Sequence, residues 1–259
     1  MLGAIAGDIL GSVHEFKPVK TKDFELFDVN SQFTDDTVMT VAVAEATMNQ
    51  ESYIDILQKW GRKYPFAGYG SWFGHWIFSE NPEPYNSFGN GSGMRASSIG
   101  WLYDNEELVL NVALESAQIT HNHEEGIIGA QAVALGVFLA RKGSSKKEIR
   151  ERLESTFGYS LRRTLEEIRP KYYFDVTCQG SVPEAIIAFL ESNDFEDAIR
   201  NAISLGGDAD TQACISGALA EAYYLNIPKP IKEFVISRIT PEMLMVLNDF
   251  NQRVRVVIN

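Results

Sequence analysis

The stretch GGDADTQACISGALA, residues 206–220, places two carboxylates after a pair of glycines and before a run of small and apolar residues. The small residues recur at intervals of three and four, at Ala213, Ser216, Gly217 and Ala220. Such spacing puts them on one face of an α-helix. The stretch therefore predicts a helix that begins near Thr211, with Asp208 and Asp210 at its amino end.

The first residues of the chain show a similar pattern. Small residues stand close together at Gly3, Ala4, Gly7 and Gly11. A glycine inside a helix costs about 1 kcal/mol relative to alanine, so it is usually kept where another backbone or a ligand comes close. We expect this first helix and the helix after Asp210 to lie at the crowded centre of the fold.

Apolar residues recur at helical spacing along nearly the whole chain. The segments with this spacing are 36–48, 53–60, 108–119, 126–139, 182–190, 198–205 and 211–224. Turn-forming clusters separate them at 64–70, 81–84 and 227–230, and convincing strands are absent from the pattern. The sequence predicts a single all-α domain over residues 1–259.

Composition limits the class of partner. The chain has 259 residues, 45% of them hydrophobic, and a formal net charge of -12. Such an acidic chain argues against unaided binding to nucleic-acid backbones or to anionic membranes. It can still bind a phosphorylated small molecule, provided that metal ions or backbone amides supply positive charge.

Two features predict a cytoplasmic location. The pattern of a secretory signal is missing because Asp8 interrupts the apolar start, and the cysteines Cys178 and Cys214 have no ligand-like spacing, which favours reduced thiols. The longest apolar run, 126–140, is shorter than the roughly 18 to 20 residues of a membrane-spanning helix. We interpret that run as a buried core helix.

The segment 141–171 is basic, since it contains ten of the 23 basic residues and five acids. One interpretation is a pair of amphipathic helices on the outside of the protein, with solvated charges. The other is a local basic surface that meets an acidic partner or substrate. The sequence leaves both open.

A second acid cluster, Thr34-Asp35-Asp36-Thr37, also opens an apolar helix. Asp and Thr are common at helix starts because their oxygens accept the free amides of the first turn. Capping, however, does not require an acid pair at each of two helices. If the two helix starts meet, their four carboxylates repel one another, which demands either protonation or a cation.

Carboxylate and hydroxyl oxygens are hard ligands that suit Mg²⁺ or Mn²⁺. Thr34 and Thr211 would add neutral oxygens to the four carboxylates. Zinc fits less well, because the four histidines show no cysteine partner and no zinc-ligand pattern. The hypothesis is a site for two metal ions.

The middle of the chain offers a glycine-rich stretch, 87–95, before a helix-like run at 96–101. Exposed amides at a helix start suit an anion. The stretch lacks the lysine of a P-loop, and no strand precedes it, so a tight loop without function remains an alternative. His121 follows at a break between two helices, where a capping, core or catalytic role is open.

Five motifs follow one another along the chain. They are Gly7-Asp8-x-x-Gly11-x-x-x-Glu15, Phe33-Thr34-Asp35-Asp36-Thr37, Gly89-Asn90-Gly91-Ser92-Gly93-Met94-Arg95, Thr120-His121 and Gly206-Gly207-Asp208-Ala209-Asp210-Thr211. In this order they resemble the ADP-ribosylglycohydrolase family, and the similarity extends from residue 3 to about residue 230. Five ordered motifs make coincidence a poor explanation.

The resemblance implies a compact orthogonal bundle of α-helices with a centre of two Mg²⁺ or Mn²⁺ ions. The residues that match its metal ligands are Thr34, Asp35, Asp36, Asp208, Asp210 and Thr211. The residues that match its diphosphate-binding loop are Asn90, Gly91, Ser92, Gly93 and Met94. His121 would contact the ADP-ribose. Asp35 and Asp36 match catalytic positions, where Asp36 would orient water, and Glu15 would act as a gate or as an acid/base group.

The resemblance also implies a hydrolase that cleaves the bond between the ribose anomeric carbon of ADP-ribose and an acceptor. The acceptor would be an arginine nitrogen or a serine oxygen of a modified protein. A free conjugate such as an O-acyl ester, a modified nucleic acid, and a non-catalytic ADP-ribose-binding protein are the alternatives. The residues around Glu15 and at Glu221 differ from the commonest family forms, so the acceptor stays open.

Overall fold

The computed structural model describes residues 1–258, with side chains described for residues 1–255. These residues form fifteen helices and one isolated antiparallel bridge, between Gly89 and Thr177. The helices are α1 (Leu2–Gly11), α2 (Asp35–Asn49), α3 (Tyr53–Lys63), α4 (Ser71–Phe78), α5 (Gly91–Met94), α6 (Ser97–Leu102), α7 (Glu106–Gln118), α8 (Glu124–Arg141), α9 (Lys146–Phe157), α10 (Leu165–Ile168), α11 (Cys178–Leu190), α12 (Phe195–Ile203), α13 (Ala209–Tyr224), α14 (Lys229–Ile236) and α15 (Pro241–Ile258). The prediction of an all-α fold is confirmed.

Helices α1 and α13 form the centre of this fold, and their backbones touch. A Cβ atom on Gly7 would lie 1.9 Å from the carbonyl oxygen of Ala213, and one on Gly11 would lie 2.6 Å from the Cα of Asp210. No side chain fits into such gaps. The small residues of both helices therefore allow the close approach that their spacing predicts.

The other long helices surround this pair. Helix α13 also packs against α8, α11 and α12, whereas α2 packs against α1, α3 and α15. Most residues of α8 are buried, as expected for the apolar run 126–140. None of the described helices combines the length and the apolarity that crossing a membrane requires. One apolar core includes residues from Met1 to Val254, and the single-domain assignment stays a prediction.

Two segments differ from the expected turns. Gly91–Met94, within the expected glycine-rich loop, forms the short helix α5. Lys229–Ile236 forms α14 directly after Pro228, with Pro230 in its first turn. A proline is tolerated there because the first amides of a helix lack intrahelical partners in any case.

The basic segment forms α9 and α10, and its side chains bind neighbouring helices. The Nζ of Lys146 donates to the carbonyl oxygen of Phe189 at 2.9 Å and to the hydroxyl of Tyr224 at 2.9 Å. Arg163 pairs with Glu184 of α11 at 2.7 Å. These contacts fit the interpretation of two outer helices that pack against the core.

Candidate active site

The amino ends of α2 and α13 lie side by side at a cavity of about 620 Å³. The hydroxyl of Thr211 donates to Oδ2 of Asp36 at 3.2 Å, across 175 positions of sequence. Carboxylate oxygens of Asp8, Asp36 and Asp210 lie within 4.8 Å of one another, and those of Glu15, Asp208 and Asp210 form a second group of this kind. The two groups share Asp210, so the structure gathers the acids into two adjoining clusters.

Burial raises the pKa of these carboxyl groups. The pKa values of Asp36 and Asp210 are raised well above the ordinary range, first by burial and then by the neighbouring carboxylates. Burial raises the pKa of Asp208 to about 6. Burial and the charges of Asp210 and Asp8 raise the pKa of Glu15 to about 7. A cation between these groups would relieve the repulsion.

The carboxylate of Asp36 shows that the acid clusters fit a metal ion. Its Oδ2 atom accepts from the hydroxyl of Thr211 at 3.2 Å and lies 3.4 Å from the hydroxyl oxygen of Thr34, which donates to Asp8 at the shorter distance of 2.7 Å. Its Oδ1 atom is buried and has no hydrogen-bond partner among the residues whose side chains are described. Buried polar atoms are nearly always paired, so an unpaired carboxylate oxygen beside other acids indicates a ligand position. These acidic groups could hold a metal.

Asp8 belongs to one of the two acid clusters, although its place in the sequence predicted no role for it. Its carboxylate accepts from the amides of Thr34 and Thr37, at 3.0 and 2.9 Å, and from the hydroxyls of both threonines. A side chain of α1 thus satisfies the free amides at the start of α2. The sequence did contain a sign of this role, because Asp8 is the only acid within the apolar helix α1.

Asn90 orients the carboxylate of Asp208, the N-cap residue of α13. Its Nδ2 donates to Oδ2 of Asp208 at 2.7 Å, and its backbone amide donates to the carbonyl oxygen of Val176 at 2.8 Å. The turn before the helix uses Gly206 with a φ of 64°, a left-handed conformation that favours glycine. Asn90 lines the cavity as expected, but these contacts position Asp208.

Most of the predicted site residues line the cavity. They are Glu15, Asp35, Asp36, Asn90, Gly91, Met94, His121, Asp208, Asp210 and Thr211. Thr34, Ser92 and Gly93 are the exceptions. Thr34 caps α2, Ser92 donates to the carbonyl oxygen of Gly126 at 2.7 Å, and Gly93 packs near Val182. These three residues hold the walls of the cavity in place.

The two histidines of the 121–123 segment have different surroundings. His123 accepts the amide of Glu125 at 3.1 Å and caps α8. His121 lines the cavity, is 5% exposed, and lies 2.7 Å from the hydroxyl of Thr120 through its Nδ1. Burial and the nearby charge of Arg95 lower the pKa of His121 well below its usual value. Both effects disfavour a positive charge on this ring at the cavity wall.

Aromatic rings form the rim of the cavity, and sequence reasoning missed them. Trp72, Phe88 and Phe174 line it while remaining 73%, 45% and 43% exposed. Trp72 stacks on Tyr85, and Phe16 stacks on Phe174. Spacing along the chain gives no signal for this rim, because its members come from separate loops and from the start of α4.

The chain is similar to known proteins in sequence and in fold. A family model described as ADP-ribosylglycohydrolase matches residues 1–240. The human protein ADP-ribosylhydrolase ARH3 is 28% identical, over 86% of this chain and 84% of its own length. ADP-ribosylarginine hydrolase Tri1 of Pseudomonas putida is 26% identical, over 86% of this chain and 69% of its own. A solved structure titled "ADP-ribosylglycohydrolase-related protein complex" aligns with a TM-score of 0.76 and 25% identity, over 98% of this chain and 95% of its own.

Proposed function

The chain belongs to the ADP-ribosylglycohydrolase family and is a glycosyl hydrolase, and from this premise we propose that it removes ADP-ribose from a modified protein side chain, an arginine or a serine. It would thereby reverse ADP-ribosylation. The observation that carries the proposal is the meeting of two acid clusters that share Asp210 at one cavity. An ADP-ribosylated protein in the cytoplasm would be its partner.

We propose two divalent cations, Mg²⁺ or Mn²⁺, as cofactors. The residues that would hold them are Thr34, Asp35, Asp36, Asp208, Asp210 and Thr211. The unpaired Oδ1 of Asp36 and the position of Asp210 in both acid clusters support this number of ions. When bound, the ions would supply positive charge that fixes the ribose hydroxyls and lowers the pKa of a water.

The residues of the chain itself would act on the ribose and on the departing acceptor. Carboxylates near the anomeric carbon stabilise the positive charge that develops as the glycosidic bond breaks. Asp36 would orient the attacking water. Glu15, a half-buried carboxyl that lines the cavity, would exchange a proton with the acceptor.

The remaining cavity would bind the rest of ADP-ribose. A volume of about 620 Å³ lies within the range of roughly 300 to 1,000 Å³ that is usual for small-molecule sites. The segment from Asn90 to Met94, together with His121, would hold the diphosphate. The exposed faces of Trp72 and Phe88 offer stacking surfaces for a purine ring.

A release assay tests the proposal. Purified protein is incubated with ADP-ribosylated arginine, ADP-ribosylated serine and O-acetyl-ADP-ribose, each with Mg²⁺ or Mn²⁺ and each with excess chelator. We expect free ADP-ribose from a side-chain conjugate, its loss with chelator, and its return when metal is added back. Release from the acyl ester alone would favour a free conjugate as substrate. Tight ADP-ribose binding without release from any conjugate would favour a non-catalytic binding protein and contradict the proposal.

A further inference from the structure

A buried path of hydrogen bonds leads from the core to His121. Arg95 is 1% exposed, and its Nη2 donates to the carbonyl oxygen of Ser116 at 3.0 Å and to the hydroxyl of Thr120 at 2.9 Å. The same hydroxyl lies 2.7 Å from Nδ1 of His121. Thr120 is fully buried and His121 nearly so. The side chains of Arg95, Thr120 and His121 thus form one hydrogen-bonded chain, and its two ends, Arg95 and His121, both line the cavity.

The hydrogen bonds of this path can be assigned in one order, with each group donating to the next. A guanidinium can only donate, so the Thr120 oxygen accepts from Arg95 and keeps its own hydrogen for another acceptor. Two acceptors are in reach, the carbonyl oxygen of Ala117 at 3.4 Å and Nδ1 of His121 at 2.7 Å. The Ala117 oxygen already accepts the amides of Thr120 and His121, at 3.1 and 2.8 Å. The hydroxyl hydrogen therefore points to Nδ1.

The protonation state of the ring follows from that direction. A neutral imidazole that accepts at Nδ1 carries its proton at Nε2. A second proton at Nδ1 would meet the hydroxyl hydrogen of Thr120, with the positive charge of Arg95 beyond it. Burial and that charge keep the pKa of His121 low, which agrees with a ring that stays neutral.

The other ring nitrogen faces the glycine-rich wall of the cavity. A Cβ atom on Gly89 would lie 3.6 Å from Nε2 of His121, and one on Gly91 would lie 3.5 Å from it. A side chain at either position would therefore be in van der Waals contact with Nε2. The two glycines leave the N–H of the ring open to a molecule in the cavity.

We propose that Arg95 and Thr120 are positioning residues that hold His121 as its Nε2–H tautomer, so that the ring donates one hydrogen bond to a diphosphate oxygen of the ligand. The identity of that ligand rests on the proposed function, whereas the tautomer does not. His121 is then a fixed donor, and it exchanges no proton during the reaction.

Nitrogen NMR tests the tautomer directly, in the protein without metal or ligand. Protein with ¹⁵N-labelled histidine gives signals from His14, His75, His121 and His123, and the variant His121→Gln identifies the signals of residue 121. We expect the directly bonded proton of His121 at Nε2 and a nitrogen without a proton at Nδ1. A proton bound to Nδ1 would overturn the inference.

A pair of substitutions at residue 120 tests the effect on binding. Thr120→Val keeps the shape but removes the hydroxyl, and Thr120→Ser keeps the hydroxyl. We expect the Val variant to bind ADP-ribose about tenfold more weakly, because a ring that Thr120 no longer holds in place donates a poorer hydrogen bond to the diphosphate. The Ser variant should stay within about twofold of the wild type on the same grounds. Calorimetry measures the affinity, and a Val variant that binds like the wild type would contradict the proposal.

Thr47→Val is the matched control. Thr47 is 6% exposed, and its hydroxyl donates to the carbonyl oxygen of Val43 at 2.7 Å, near the carboxyl end of α2. The same change of side chain there should leave ADP-ribose affinity unaltered. Because the donor acts equally on bound substrate and on the transition state, Thr120→Val should raise KM and leave kcat nearly unchanged. A fall in kcat alone would overturn the positioning role.

The two proposals fail in different ways. If no conjugate is hydrolysed and ADP-ribose does not bind, the proposed function fails while the NMR experiment still decides the tautomer. If conjugates are hydrolysed but Nδ1 carries the proton, the function stands and this inference fails.

Discussion

The amino ends of α2 and α13 contain the same residue types and use them differently. At α2, the hydroxyl of Thr34 accepts the amide of Asp36 at 3.3 Å, and Asp8 accepts the amides of Thr34 and Thr37. At α13, the N-cap residue Asp208 makes no capping hydrogen bond with its side chain. The start of α2 is satisfied by the protein itself, whereas the start of α13 turns its N-cap carboxylate towards the cavity.

This difference separates Asp8, which belongs to an acid cluster and also caps α2, from Asp208, whose side chain caps no helix. Asp8 has four hydrogen-bond donors around it, all from the start of α2, so its removal would disturb the helix. Asp208 accepts from the side chain of Asn90, and Asp210 accepts the adjacent amide of Thr211 at 2.9 Å. We therefore expect substitutions at α13 to affect activity and substitutions around α2 to affect stability as well.

Asp210→Asn should give the largest effect on activity. The change removes the one charge common to both acid clusters while it keeps the size of the side chain. We expect turnover to fall about 100- to 1,000-fold, as when a preorganised charged or polar group is removed from an active site. In chelator, urea unfolding should show equal or greater stability, because burial and neighbouring carboxylates oppose the charge of Asp210.

Asp249→Asn is the control for this experiment. Asp249 is an exposed acid on α15, and its replacement removes the same charge from the chain. It should leave both turnover and stability within experimental error of the wild type. Full turnover of the Asp210 variant at saturating metal would show that the shared acid is dispensable. It would contradict the expectation that the acids at the start of α13 serve activity.

Asp8→Ala should give the largest effect on stability. The change leaves two amides and two hydroxyls at the start of α2 without their acceptor. We expect the free energy of unfolding to fall by about 3 kcal/mol, since each buried unsatisfied group costs about 1 to 3 kcal/mol and some will find water. Urea unfolding in chelator measures it. Asp8→Asn, which keeps acceptor oxygen, should lose less, and an equal loss in both variants would contradict the capping role.

The sequence predicted the parts of this molecule that depend on spacing. Helical periodicity located most of the long helices but missed α15 (Pro241–Ile258). The small residues on α1 and α13 predicted that both helices lie at the crowded centre. The acid pairs at Thr34–Thr37 and at Gly206–Thr211 suggested a shared metal site on the condition that the two helix starts meet, and the structure places these starts side by side. Periodicity and charge are local properties, so they can be read along the chain.

The features that sequence reasoning missed depend on contacts between distant segments. Asp8 could be recognised as a cap only once α1 and α2 were seen together. Asn90 was assigned to the substrate, yet its side chain binds Asp208, 118 positions later. The exposure of Trp72 and Phe174 depends on which loops surround the cavity. Such pairings are set by tertiary packing, which a single sequence does not report.

Gly11→Ala tests whether the close packing of α1 positions the acids of α13. The new Cβ would lie 2.6 Å from the backbone of both Ala209 and Asp210, so the start of α13 must move. We expect a stability loss of about 2 kcal/mol, which is usual for overpacking, together with reduced turnover. Gly74→Ala in α4, where a Cβ meets nothing within 4 Å, is the control and should cost nothing. If both variants had the same stability and the same turnover, the close packing of α1 would not position the acids of α13.

Thr34→Val and Thr211→Val compare the two helix starts through the smallest expected changes in unfolding free energy. Both remove a hydroxyl that contacts Asp36, but only the hydroxyl of Thr34 caps a helix. In chelator, the Thr34 variant should lose about 1 kcal/mol of unfolding free energy, the usual cost of losing an N-cap. The Thr211 variant should stay within about 0.5 kcal/mol of the wild type, since no cap is lost. Urea unfolding of the two variants measures both free energies. Equal losses of unfolding free energy would mean that the hydroxyl of Thr211 stabilises the start of α13 as much as the hydroxyl of Thr34 stabilises the start of α2.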